Sequence, residues 1–68
     1  MDFNTCISEY IKGNVIIEDV LLDHSFDGTT VHVTLCGPYG VEIIDETIAD
    51  NELESLKNDL SDCHFETV

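Results

Sequence analysis

Fifteen Asp and Glu residues against two lysines and no arginine give this 68-residue chain a formal net charge of −13, while 43% of it is apolar. A chain this acidic with few hydrophobic residues would stay unfolded; here Val, Ile, Leu and Phe fall in ordered runs, so a single small folded domain over residues 1–68 is expected. Folding at this length buries only about 60% of the surface exposed by the unfolded chain, which excludes a second domain or a large substrate cavity. The charge repels nucleic acid phosphates and anionic membrane, so direct binding to either is disfavoured and a basic partner is implied.

Cys6, Cys36 and Cys63 are odd in number and widely spaced, with no C-x-x-C pair, the pattern of reduced thiols in a cytosol. Met1-Asp2-Phe3-Asn4 has neither the basic n-region nor the apolar h-region of a signal peptide, and no apolar run approaches the roughly 18 residues of a membrane span. A cytosolic protein is expected.

In chain order, Asn4 to Lys12 reads as a short helix, with a polar residue able to cap its start and Gly13 just past its end. Under three turns long, it depends on docking an edge made of Ile7, Tyr10 and Ile11. Asn14 to Asp23 is rich in β-branched and aliphatic residues and reads as a strand. The adjacent Glu18 and Asp19 interrupt its alternation, so the strand either bulges there or is apolar on both faces. Asp27-Gly28 then signals a hairpin, and Thr29 to Cys36 alternates with Val31, Val33 and Leu35 toward the core.

Gly37-Pro38-Tyr39-Gly40 is a turn, followed by a third strand, Gly40 to Glu46, with Val41 and Ile43 on one side and Glu42, Ile44 and Glu46 on the other. Thr47-Ile48-Ala49-Asp50 has the form of a helix start, and Ala49, Leu53, Leu56 and Leu60 recur at helical steps, predicting a longer helix over Thr47 to Leu60. The tail, Ser61 to Val68, reads either as loop or as a short edge strand through Cys63, Phe65 and Thr67. The class is therefore α+β: a three-stranded antiparallel meander, a short N-terminal helix, a longer C-terminal helix and an optional extra edge strand.

Few constellations in this sequence carry chemistry. His32 and Cys36 share a strand face and Cys63 adjoins His64, but the spacing matches no zinc module, and two exposed histidines with small buried thiols account for the four residues far more simply. Neither a metal nor a cofactor is expected. Asp45 with Glu46, or Asp50 with Glu54, could do acid–base work only if one carboxyl were desolvated in a cleft, which a chain this short hardly provides. There is no phosphate loop, no H-E-x-x-H and no G-x-S-x-G, so an enzyme is not expected.

The acids themselves are the remaining signal. Nine lie between Glu42 and Glu66, namely Glu42, Asp45, Glu46, Asp50, Glu52, Glu54, Asp59, Asp62 and Glu66, with Lys57 the one base among them. Glu46 and Asp50 suit the positive end of the second helix. Asp50 and Glu54, by contrast, are like charges one turn apart, and Asp59 and Asp62 sit where the helix dipole favours cations, each at a cost of a few tenths of a kcal/mol. Solvated helices usually intersperse lysine with glutamate, and that compensation is nearly absent. The eight residues Glu42, Asp45, Glu46, Asp50, Glu52, Glu54, Asp59 and Asp62 are thus candidates for contacting a Lys/Arg-lined groove.

In this layout, with a helix around Asn4 to Lys12, a meander through Val15, Val33 and Ile43, and an acidic helix from Thr47, the chain resembles the small acidic inhibitors of phages and mobile elements that mimic DNA, including anti-CRISPR and anti-restriction proteins. The resemblance is of size, charge and layout, without a diagnostic motif. It implies inhibition of a basic nucleic-acid-binding host protein or complex, in the host cytoplasm, by occupation of its nucleic acid site. Three cysteines and an apolar second sheet face are not required by that role. If Val31, Val33, Leu35, Val41 and Ile43 cover one side of the sheet, Ile44 and one apolar set of the first strand remain on the other. That face is either covered by the N-terminal helix or the tail, or it is an interface, as in a homodimer or adaptor module whose acidity serves only solubility.

Overall fold

Two tight turns fold the β-branched runs of the sequence back on one another. In a computed structural model describing residues 1–68, β1 (Ile16–Ser25), β2 (Gly28–Gly37) and β3 (Gly40–Ile48) form an antiparallel meander. A short β4 (Phe65–Thr67) adds parallel to β1, giving the sheet order β3-β2-β1-β4. The helices α1 (Phe3–Lys12) and α2 (Asp50–Asp59) bring Phe3, Cys6, Leu53 and Leu56 into one cluster with Val15, Ile17, Val20, Leu22, Val31, Val33, Leu35 and Ile44 from the sheet region. Both helices therefore pack on the same sheet face, and the fold is α+β as expected. Neither helix is long and apolar enough to cross a membrane.

Helix α1 starts one residue earlier than predicted. Asp2 caps it by accepting a 2.7 Å hydrogen bond from the Thr5 amide, and that bond holds the Asp2 carboxyl below its ordinary range. The cap's contribution is accordingly present above the usual carboxylate pKa and is lost only as pH falls through the lowered one. Gly13 ends the helix at φ 83°, its N–H reaching the carbonyls of Glu9 and Tyr10. With Phe3 inside the helix and buried, the docked edge turns to Phe3, Cys6, Ile7 and Tyr10, and Ile11 is left exposed instead of docked. At 3.6 residues per turn Ile11 lies about 80° round the helix from Phe3, off the buried stripe.

The interruption in β1 is a bulge. Pairing with β2 shifts between Ile17 and Asp19, so that Glu18 is absorbed as the extra residue. The inward set consequently runs Val15, Ile17, Val20, Leu22, a step of three in a strand of twos, and all four are buried. At the far end of β1, Phe26 and Asp27 form the turn between the paired Ser25 and Gly28. Thr29, fully buried at the start of β2, donates to Asp50 Oδ1 at 3.3 Å and lies 2.8 Å from His24 Nδ1, tying this hairpin to the first turn of α2.

Strand β3 faces the opposite way from the prediction. The turn pairs Gly37 with Gly40, and counting from it sets Cys36 opposite Val41, Thr34 opposite Ile43 and Val33 opposite Ile44. Residues directly opposite one another share a sheet face, so Ile44 joins Val33 in the core, while Val41 and Ile43 join Cys36 and Thr34 on the uncovered side. Ile44 is 8% exposed; Val41 and Ile43 are each 66% exposed.

The same ladder runs on through Ile48, which shortens the predicted α2. Thr47 pairs with Thr30, the two hydroxyls 2.9 Å apart, and so does not cap the helix; the N-cap is Ala49, which makes no side-chain bond. Leu53, Leu56 and Leu60 are buried as their spacing predicted. The tail resolves as β4, with Phe65 opposite Val20 and the Val68 amide bonded to the Leu22 carbonyl at 2.9 Å.

Candidate interaction surface

None of the fifteen carboxylates is buried, and they are not offset by the two lysines. The N-terminal ammonium pairs with Glu42 Oε2 at 3.2 Å, while His32 Nδ1 and His64 Nε2 share hydrogen bonds with Asp45 Oδ1 at 2.6 Å and Glu66 Oε1 at 3.1 Å; Lys12 and Lys57 pair with no carboxylate. Thirteen net charges along a longest dimension of 35 Å amount to one per about 2.7 Å.

The eight acids singled out from sequence do not form one face. Glu42 and Glu46 project on the helix-bearing side of β3, since they alternate with Ile44 through even steps, whereas Asp45 stands on the uncovered side against His32. In α2, Glu52 and Asp59 line a shallow groove of about 540 Å³ between the two helices, with Phe3, Ile7, Ile11, Ile48 and Leu56 supplying its apolar part. Asp50 and Glu54, one turn apart, occupy the other flank of the helix. Asp50 and Glu52 lie in the first turn and complement the dipole, but Glu46 lies on β3 outside the helix, contrary to the expectation that it would serve the helix start. Asp62 follows α2 in the turn toward β4, close enough to Tyr10 to oppose its ionisation. The Tyr10 phenol is held above its ordinary range first by the neighbouring Cys63 side chain, then by burial and by the charge of Asp62.

The uncovered sheet face carries a feature that the periodicity of single strands misassigned. Ile16 is 67% exposed on the same face as Val41 and Ile43, with Cys36 of β2 between Ile16 and Val41, giving an apolar patch across three strands. Ile44, the sequence candidate for an exposed apolar contact, is in the core on the other side and cannot form that patch. The signal that finds Val41 and Ile43 is the register counted from the Gly37–Gly40 turn.

The cysteine–histidine set is dispersed: His32 bonds Asp45, His64 bonds Glu66, and Cys63 is partly buried against the core. No group of three or more His, Cys, Asp or Glu side chains comes together as a metal site. All three thiols are free, and burial, then the charge of Glu42, pushes the Cys6 thiol above its ordinary range. A thiol of this kind reacts slowly because the thiolate is the nucleophile. With Ellman's reagent near neutral pH, Cys36 is expected to react ahead of Cys6, which should become reactive only in denaturant; equal rates for the two thiols in the folded protein would contradict the burial of Cys6.

No family model, curated protein or solved structure matches this chain.

Proposed function

We propose that the protein is a non-enzymatic inhibitor of the anti-CRISPR or anti-restriction type. In this reading it binds a basic nucleic-acid-binding protein or complex in the cytoplasm by presenting an acidic surface in place of nucleic acid. The observation that carries the reading is the uncompensated linear charge. Duplex DNA carries one charge per about 1.7 Å of axis and a single strand one per about 3.4 Å; the protein, at about 2.7 Å per net charge, falls between them. Its charges are spaced well inside the screening length of about 8 Å at physiological salt, so a Lys/Arg-lined groove meets them as a continuous field that also speeds encounter. Because the acids lie on several faces, the surface offered is the body of the molecule, about 19 Å across, rather than one helix.

A second reading rests on the apolar patch of Ile16, Val41 and Ile43: a small homodimeric or adaptor module whose acidity serves only solubility. One experiment separates the two. Immobilised protein is incubated with bacterial lysate at low and high salt, with and without added duplex DNA, alongside a variant in which Glu52, Glu54, Asp59 and Asp62 are replaced by their amides and an Ile43→Asp variant. The inhibitor reading expects captured nucleic-acid-binding proteins to be released by salt and by DNA, with about tenfold less capture by the amide variant. Capture that is insensitive to salt and DNA, survives the amide changes and is lost on Ile43→Asp would overturn it in favour of the adaptor.

A further inference from the structure

The sheet has two edges, and they are treated differently. On one, β4 covers β1 over Val20–Leu22. On the other, β3 pairs only with β2, so the outward amides and carbonyls of a nine-residue strand are unpaired. Edges of this kind are templates for another strand, and proteins usually blunt them with lysine, proline or a bulge. Strand β3, Gly40–Ile48, contains no lysine and no proline, and its pairing with β2 runs without a register shift. Its only safeguards are Glu42, Asp45 and Glu46, which are all of one sign.

That sign determines what can add to the edge. A second copy pairing antiparallel about Ile44 would set Glu42 opposite Glu46 of its twin twice over, and pairing in parallel register would set each acid against itself. Like charges directly opposite destabilise a pair of strands, and each copy brings a further net charge of −13. A strand bearing Lys or Arg at alternate positions meets the reverse situation: its cations lie against Glu42 and Glu46 on the helix side, and its intervening side chains lie beside Val41 and Ile43 on the uncovered side. Glu42 already holds a cation there, the N-terminal ammonium at 3.2 Å, which an incoming lysine would replace.

We infer that the free edge of β3 is a docking site for an extended basic segment of the partner, bound by strand addition, with its cations on Glu42 and Glu46 and apolar residues on Val41 and Ile43. This rests on the acidic-surface reading above and narrows it from a charged body to a backbone-paired edge. In it, charge selects the partner while main-chain hydrogen bonds fix the register.

The test uses an acetylated nine-residue peptide alternating lysine and valine, titrated at low salt into the isotopically labelled protein. Two versions of the peptide N-methylated at every lysine or at every valine keep the charge but remove the amide donors of one edge or the other. The expected result is that the parent peptide binds, that its binding shifts the β3 amides facing away from β2 and slows their exchange, that at least one methylated version binds about tenfold more weakly, and that Glu46→Lys does the same to the parent. If all three peptides bind equally and the β3 amides do not move, strand addition is wrong while the acidic-surface reading survives. Should no basic peptide bind at low salt, both readings fail. Protection of the β3 amides that rises with the concentration of protein alone would identify a second copy as the occupant and overturn the proposal.

Discussion

Alanine at Gly28 is expected to cost about 2–6 kcal/mol, the sum of a strained backbone and a steric clash at about 1–3 kcal/mol each. Gly28 sits at φ +147°, where L side chains are rarely found, and a β-carbon built there would lie 2.4 Å from the Ile48 carbonyl oxygen. That oxygen belongs to the backbone at the end of β3, immediately before the N-cap of α2, so it cannot yield without moving the helix start. Domains gain about 0.05–0.15 kcal/mol per residue, which puts the whole stability of 68 residues at about 3–10 kcal/mol. Gly40→Ala is the control, because Gly40 is also at positive φ (+118°) but has open space where the β-carbon would go. Urea unfolding should place Gly40→Ala within about 1–3 kcal/mol of the parent, the strain alone, with Gly28→Ala well below it. Equal midpoints for the two variants would show that the approach of Ile48 is not a constraint.

Leu60→Ala should be nearly as damaging, at about 2–5 kcal/mol, since it leaves a cavity at a fully buried side chain. Leu60 is the C-cap of α2, and its carbonyl accepts from the Cys63 amide at 2.9 Å in the turn toward β4, so one side chain anchors both the helix end and the approach of the last strand. With about 4–8 °C of melting temperature per kcal/mol in domains of this size, a fall of ten degrees or more is expected by circular dichroism. Ile11→Ala, at an exposed apolar position of α1, should stay within about 0.5 kcal/mol of the parent. A Leu60→Ala melt within two or three degrees of the parent would mean that the α2 end is not packed as described.

Elements that rest on composition and helical spacing were readable from the chain. The leucines of α2 and the inward Val31, Val33 and Leu35 of β2 lie where their periodicity places them, because burial of apolar side chains is what fixes those faces. Apart from Ile11, which the earlier start of α1 turns off the buried stripe, the misreadings have one source: a pairing partner outweighed a local pattern. Thr47-x-x-Asp50 has the form of a cap, yet Thr47 gains a ladder position opposite Thr30 and a hydroxyl partner there, and the strand continues. Val41 and Ile43 look like the buried set of β3, yet a two-residue turn leaves no freedom of register, and Ile44 falls opposite Val33. That assignment was within reach of the sequence, since it follows by counting outward from Gly37 and Gly40. The bulge at Glu18 was legible only as one of two alternatives, because a polar pair inside a strand does not itself say whether the backbone or the solvent accommodates it. As for the acids, their excess could be read from composition, but not their division among the edge of β3, the helix groove and the flank of α2, which depends on how α2 is turned about Leu53, Leu56 and Leu60.

The order β3-β2-β1-β4 also bears on how the molecule assembles. Its two antiparallel pairings join neighbours in the chain through turns of two residues, for which the entropic cost of closing a loop is small. Pairing β4 with β1 instead brings Phe65 to Val20 across the whole of the meander and α2. Contacts of large sequence separation repay their ordering cost only after the intervening chain is fixed. The three-stranded meander can therefore form first and present its buried face to the helices, while the seam between β1 and β4, three residues long, closes last and is the natural place for the folded molecule to open first.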